Sequence, residues 1–156
     1  CIANALTLMK EREQAYSYYE KALSMTDDKY RIYICYAISL TEFKEFDMAE
    51  EMFKRAIEFD SKKSNAYVLL ANLYSNSDRI KEAIDLYRKA LQVEPNNPET
   101  YTLLGNAHFL DNDIEQAISS YRASISLAPD NDEYRLIYSQ VMEDYVSSVR
   151  GVGNDA

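Results

Sequence analysis

Residues Asn97–Asn131 read NPETYTLLGNAHFLDNDIEQAISSYRASISLAPDN. Apolar residues recur at helical spacing on both sides of Asp111-Asn112-Asp113, so the stretch predicts two helices joined by a tight turn. Pro129 ends the second helix, because proline has no backbone N–H and clashes with the preceding turn. The same unit lies 34 residues earlier, from Ser64 to Asn97, and once more from Tyr30 to Lys63. A fixed period of that size is the mark of a stacked helical repeat, in which each unit buries its apolar face against its neighbours.

With Pro98 as the first position of a unit, small residues recur at positions 8, 20 and 27. They are Ala3, Ala15 and Ala22; Ala37, Ala49 and Ala56; Ala71, Ala83 and Ala90; and Gly105, Ala117 and Ser124. Helices cannot nest closely where these sites carry bulk. Large residues recur between them and are expected to fill the remaining space. Position 4 holds Tyr33, Tyr67 and Tyr101, and position 7 holds Ile2, Tyr36, Leu70 and Leu104. Position 24 holds Tyr19, Phe53, Tyr87 and Tyr121, and position 30 holds Met25, Phe59, Val93 and Leu127. The fourteen tyrosines therefore read as packing residues rather than as a base-stacking surface. Asp78 and Asn112 suit a left-handed turn between paired helices, and Lys44 departs from that pattern. Asn97 with Pro98 predicts an N-cap and first turn, and Asp130 with Glu133 predicts a capping box for the last helix.

Composition supports an all-α reading. The 156 residues are 47% hydrophobic and 28% charged, and Gly105 is the only glycine before the tail residues Gly151 and Gly153. No apolar run approaches the ~20 residues of a membrane span, so no direct membrane insertion is expected. The net charge is −9, and it is uneven: residues 98–156 carry net −7, and no lysine follows Lys89. Such a surface repels phosphate backbones, which argues against nucleic acid as a partner.

The pattern resembles the tetratricopeptide repeat (TPR) family. Tyr101, Leu104, Gly105, Ala117, Tyr121 and Pro129 carry the resemblance, together with Tyr67, Leu70, Ala71, Ala83, Tyr87 and Pro95. The resemblance implies a right-handed α-solenoid of antiparallel helix hairpins. Residues 1–149 are expected to form one domain: a partial repeat over 1–29, full repeats over 30–63, 64–97 and 98–131, and a capping helix over 132–149. Residues 150–156 are expected to be a flexible tail, and the register calls for further residues before Cys1. The last helix carries more apolar surface than one neighbour can cover.

The chain offers no catalytic constellation, and none is expected. His108 is the single histidine and falls at a packing position. No cysteine–histidine metal spacing and no phosphate-binding glycine loop is present, so no metal, cofactor or small-molecule substrate is expected. Carboxylate pairs such as Glu50–Glu51 and Glu143–Asp144 read as solvated helix faces. Cys1 and Cys35 share one register position on neighbouring first helices. Packed helices lie ~8–10 Å apart, whereas a disulfide needs α-carbons within about 7 Å, so both thiols are expected to be free. Free thiols and the lack of a signal segment point to the cytoplasm.

The resemblance also implies that the first helices line a concave groove. The groove residues would be Ile38, Val68, Leu69, Asn72, Thr102, Leu103, Asn106, Phe109, Leu136 and Gln140. Asn72 and Asn106 would clamp the backbone of a bound peptide, since an amide both donates and accepts. Glu42, Glu99, Glu133, Glu143 and Asp144 would form an acidic rim. Chaperone-binding family members grip a C-terminal carboxylate with basic residues, but Val68, Thr102 and Leu103 occupy the matching sites here. The expected function is a non-catalytic protein–protein interaction module, a scaffold, adaptor or co-chaperone-like protein. Its partner would offer an apolar or basic peptide or an amphipathic helix. A self-assembling homo-oligomeric module and the regulatory arm of a larger enzyme are the alternatives.

Overall fold

The computed structural model describes residues 11–152, and the side chains of Asp144 and of residues 148–152 are not described. Eight helices follow one another: α1 Arg12–Met25, α2 Tyr30–Glu42, α3 Phe46–Phe59, α4 Ser64–Ser75, α5 Ile80–Val93, α6 Pro98–Leu110, α7 Ile114–Leu127 and α8 Asp132–Val152. No strand interrupts them among the described residues. The expected helix around Cys1 lies outside those residues. Helix α8 runs to Val152, past the boundary at 149 drawn from the sequence.

Each helix packs mainly on its neighbours in sequence. The tightest pairs are α2 with α3, α4 with α5, and α6 with α7; these hairpins then stack through α3–α4, α5–α6 and α7–α8. This is the quasi-one-dimensional arrangement of a repeat solenoid. Small residues make it possible: Ala37, Ala49, Ala56, Ala71, Ala83, Ala90, Ala117, Gly105 and Ser124 are all buried. Gly105 marks the closest approach, because a β-carbon there would stand 2.7 Å from the Tyr121 ring. Ser124 is tolerated because its hydroxyl donates to the Tyr121 carbonyl at 3.1 Å.

The paired helices share one turn geometry. Lys44, Asp78 and Asn112 take φ of 64°, 61° and 61°. In each case the next residue's N–H reaches back across the helix end: Glu45 to the Leu40 carbonyl at 2.8 Å, Arg79 to Tyr74 at 2.9 Å, and Asp113 to His108 at 2.9 Å. That is a Schellman closure, which satisfies carbonyls the helix end would leave unpaired. Lys44 therefore adopts the left-handed backbone even without a side chain suited to it.

Two expectations are corrected. Met25, Phe59, Val93 and Leu127 are exposed, not packing residues. Each is the last residue of its helix, so the chain turns away before a following helix can overlap it. The cap of α8 is Asn131 rather than Asp130: the Asn131 side-chain oxygen accepts from the Glu133 N–H at 3.0 Å and from the Tyr134 N–H at 3.4 Å. Asn97 does cap α6, accepting from Thr100 N–H at 2.9 Å.

Packing between units is aromatic at one end and polar in the middle. Tyr19 stacks on Tyr36 at 4.9 Å between ring centroids, and Tyr16 meets Tyr36 at 5.5 Å and Phe43 at 5.8 Å. Further along, the Glu50 carboxylate of α3 accepts from Lys54 at 2.6 Å, from Tyr74 of α4 at 2.8 Å, and from Arg79 at the head of α5 at 2.6 Å. The Arg79 guanidinium also lies 3.7 Å above the Tyr74 ring. At the far end Val141, Ile137 and Tyr138 of α8 pack on Tyr121 and Ile118. Leu136, Tyr145 and Val146 stay exposed.

Candidate binding face

Helical spacing sets which side chains share the face of the first helices. Ile38 comes from α2; Val68, Leu69 and Asn72 from α4; Thr102, Leu103, Asn106 and Phe109 from α6; Leu136 and Gln140 from α8. Within each helix these residues lie three or four apart, so they present one face. Their availability differs. Ile38 is 42% exposed, Phe109 38% and Leu136 58%, and Asn106 and Gln140 are also exposed. Val68, Leu69, Asn72 and Leu103 are half-buried, and the three apolar ones lean on the core. Thr102 is buried, and its hydroxyl donates to the Pro98 carbonyl of its own helix at 3.1 Å. Thr41 does the same with Ala37 at 3.0 Å. Both threonines thus spend their hydroxyls locally, and the face is more apolar than its composition suggests.

The two asparagines are held from behind. The Tyr87 hydroxyl donates to Asn72 Oδ1, and the Tyr121 hydroxyl donates to Asn106 Oδ1 at 2.7 Å. Burial pushes both phenols up to about 12, so they remain protonated donors throughout the neutral range. Among the described residues neither asparagine Nδ2 has a partner. At the equivalent positions of the preceding unit stand Ile38 and Phe53. Where the second helix offers a hydroxyl the first helix carries an amide, and where it offers a bare ring the first helix carries an aliphatic side chain. Spacing alone marked the asparagines; the tyrosines behind them were read only as core.

Charge is graded along the same face. The position that holds exposed Glu99 in α6 and Glu133 in α8 holds Asn65 in α4 and exposed Arg31 in α2. Glu42 and Glu143 are exposed as well. Arg31 was not singled out from the sequence, although its register number alone would have placed it here. The acidic character therefore concentrates toward α6–α8.

Other polar groups serve the scaffold. His108 is buried, and burial lowers its pKa, with Arg88 adding to the effect. Its Nδ1 has no hydrogen-bond partner and stands 3.8 Å from the Asp113 carboxylate. Asp113 meanwhile caps α7 through the Gln116 N–H at 3.2 Å. Cys35 is a free thiol; Cys1 lies outside the described residues. No group of three or more His, Cys, Asp or Glu is gathered for a metal among the described residues. No described helix is long and apolar enough to cross a membrane.

Comparison with known proteins agrees with this architecture. The tetratricopeptide repeat family matches residues 2–29 and 98–131, and a TPR repeat pattern matches residues 76–112. No curated protein matches the sequence. Among solved structures, the crystal structure of MamA superposes with a TM-score of 0.73 at 17% identity, over 96% of this chain and 98% of that one. The first TPR of Spaghetti (RPAP3), bound to the HSP90 peptide SRMEEVD, superposes with a TM-score of 0.71 at 16% identity, over 78% of this chain and 96% of that one. At these identities the likeness is one of fold.

Proposed function

Because the chain belongs to the tetratricopeptide repeat family, we propose that it is a non-catalytic protein–protein interaction module, a scaffold or adaptor whose concave face takes a peptide or helix of a partner protein. The observation that carries this reading is the pair Asn72 and Asn106, one unit apart, among the exposed side chains of Ile38, Phe109 and Leu136. Apolar surface left uncovered beside oriented amides is the make-up of a peptide-binding groove.

The charge gradient supports a partner with apolar anchors and basic flanks, the basic end lying toward α6–α8. Glu99, Glu133 and Glu143 would repel an acidic tail there. The solved Spaghetti domain holds the acid-ended peptide SRMEEVD. This chain carries Val68, Thr102 and Leu103 where such a peptide would need cations, so its ligand is of the opposite charge.

The test is a fluorescence-anisotropy titration with two synthetic peptides, one with leucines between lysine pairs and one with the sequence SRMEEVD. The reading expects the lysine-flanked peptide to bind, with affinity that falls as salt rises, and the acid-ended peptide not to bind. Preference for SRMEEVD, or no binding of either peptide, would contradict it. A self-assembly reading rests on the exposed Leu136, Tyr145 and Val146 of α8. A particle mass in light scattering that stays monomeric as concentration rises would remove it.

A further inference from the structure

The asparagines are not free to present either end of their amides. Each Oδ1 already accepts from a tyrosine hydroxyl of the second helix, so each side chain turns its Nδ2 hydrogens toward the open face. Such a pair of groups donates. It needs a ligand with acceptors to spare, and that separates the two kinds of occupant. A helical ligand uses its carbonyls in its own backbone ladder, whereas an extended segment leaves them unpaired. The apolar unit adds the second element. Ile38 and Phe53 replace the amide–hydroxyl pair, so that unit offers nothing to a backbone and 42% exposed aliphatic surface to a side chain.

We infer that Tyr87 and Tyr121 are positioning residues that fix Asn72 and Asn106 as donors, so that the groove selects an extended partner segment by its backbone carbonyls and seats an apolar side chain on Ile38. This rests on the interaction reading above and sharpens it from peptide or helix to extended peptide. The chemistry excludes an amphipathic helix as the preferred occupant. It also assigns the three units different tasks: two hold main chain, and one reads a side chain. Arg31 at the Ile38 end and Glu99 and Glu133 at the other then give the segment a direction, with its cationic residues over α6–α8.

Two double variants separate positioning from mere support. Tyr87→Phe with Tyr121→Phe keeps the rings and removes the hydroxyls, which frees both amides to rotate. Asn72→Asp with Asn106→Asp keeps an oxygen for each tyrosine but removes both donors. The aspartates also add negative charge, which by electrostatics alone would tighten a lysine-flanked peptide. Loss of two donor hydrogen bonds is expected to weaken it roughly ten-fold instead. The probe is the lysine-flanked leucine peptide of the previous section, flexible in one form and locked into a helix by a side-chain staple in the other. The inference expects the wild type to bind the flexible form more tightly than the stapled one, and expects both double variants to lose that preference while their circular dichroism stays helical. If the phenylalanine pair fails to fold, the aspartate pair decides alone. Aspartate variants that bind as tightly as the wild type, or more tightly, would overturn the donor assignment while leaving the interaction module standing. A wild type that prefers the stapled peptide would overturn it as well, and binding of neither form would take down both readings.

Discussion

Lys44 takes φ of 64° at the same turn position as Asp78 and Asn112. A side chain with a β-carbon pays for that backbone, and asparagine pays least among the non-glycine residues because its short amide bonds locally. Lys44→Asn should therefore stabilise the protein, by roughly 0.5–1 kcal/mol. Chemical denaturation would show a higher midpoint with an unchanged slope; a lower midpoint would mean that the Lys44 side chain contributes more than its backbone costs. The turn itself was legible at Asp78 and Asn112, since residue type and geometry agree there. At Lys44 only the period places it. Hydrogen-bond partners were not legible at this scale. Nothing in the letters says that Thr41 and Thr102 turn their hydroxyls onto their own helices, or that Asn131 rather than Asp130 caps α8, because those choices depend on distances of a few tenths of an ångström.

The junction of α3, α4 and α5 is held by Glu50. Burial works to raise its pKa, but hydrogen bonds from Lys54, Tyr74 and Arg79, with the charge of Lys54, outweigh that and hold it at about 2. A carboxylate depressed in the folded state contributes stability that is complete above its unfolded value and is lost as pH falls through the folded one. The loss should run from about pH 4.5 down to about 2. Glu50→Gln removes the charge that two cations face, and should cost roughly 2 kcal/mol at neutral pH, after allowance for a side chain that still touches solvent. Thermal melts at pH 7 and pH 3 would show the variant's deficit shrinking as the acid protonates the wild-type carboxylate. A deficit that persists unchanged at low pH would mean that Glu50 acts by packing alone. Sequence reading placed Glu50 on a solvated face, because its partners come from two other helices. Position 30 was misread for a related reason. Spacing gives the side of a helix, but not whether a neighbour is long enough to cover its last turn.

At the scale of the whole molecule the period did most of the predictive work. A recurring set of small residues, with large ones between them, dictates nested hairpins whatever the surface carries, so the solenoid was readable before any coordinates. The binding face was only partly readable. Register assigned Ile38, Asn72, Asn106, Phe109 and Leu136 to one side, yet the orientation of the amides is set by Tyr87 and Tyr121 of the other helix layer. The central claim is that the first-helix face of α2, α4, α6 and α8 holds an extended, basic-flanked segment. Titrating the lysine-flanked leucine peptide into nitrogen-15-labelled protein tests it most directly. The amide resonances of Ile38, Asn72, Asn106, Phe109 and Leu136 should shift together, with the side-chain amides of Asn72 and Asn106 among the largest changes. Shifts confined to the second helices α3, α5 and α7, with the asparagine side chains unmoved, would contradict it.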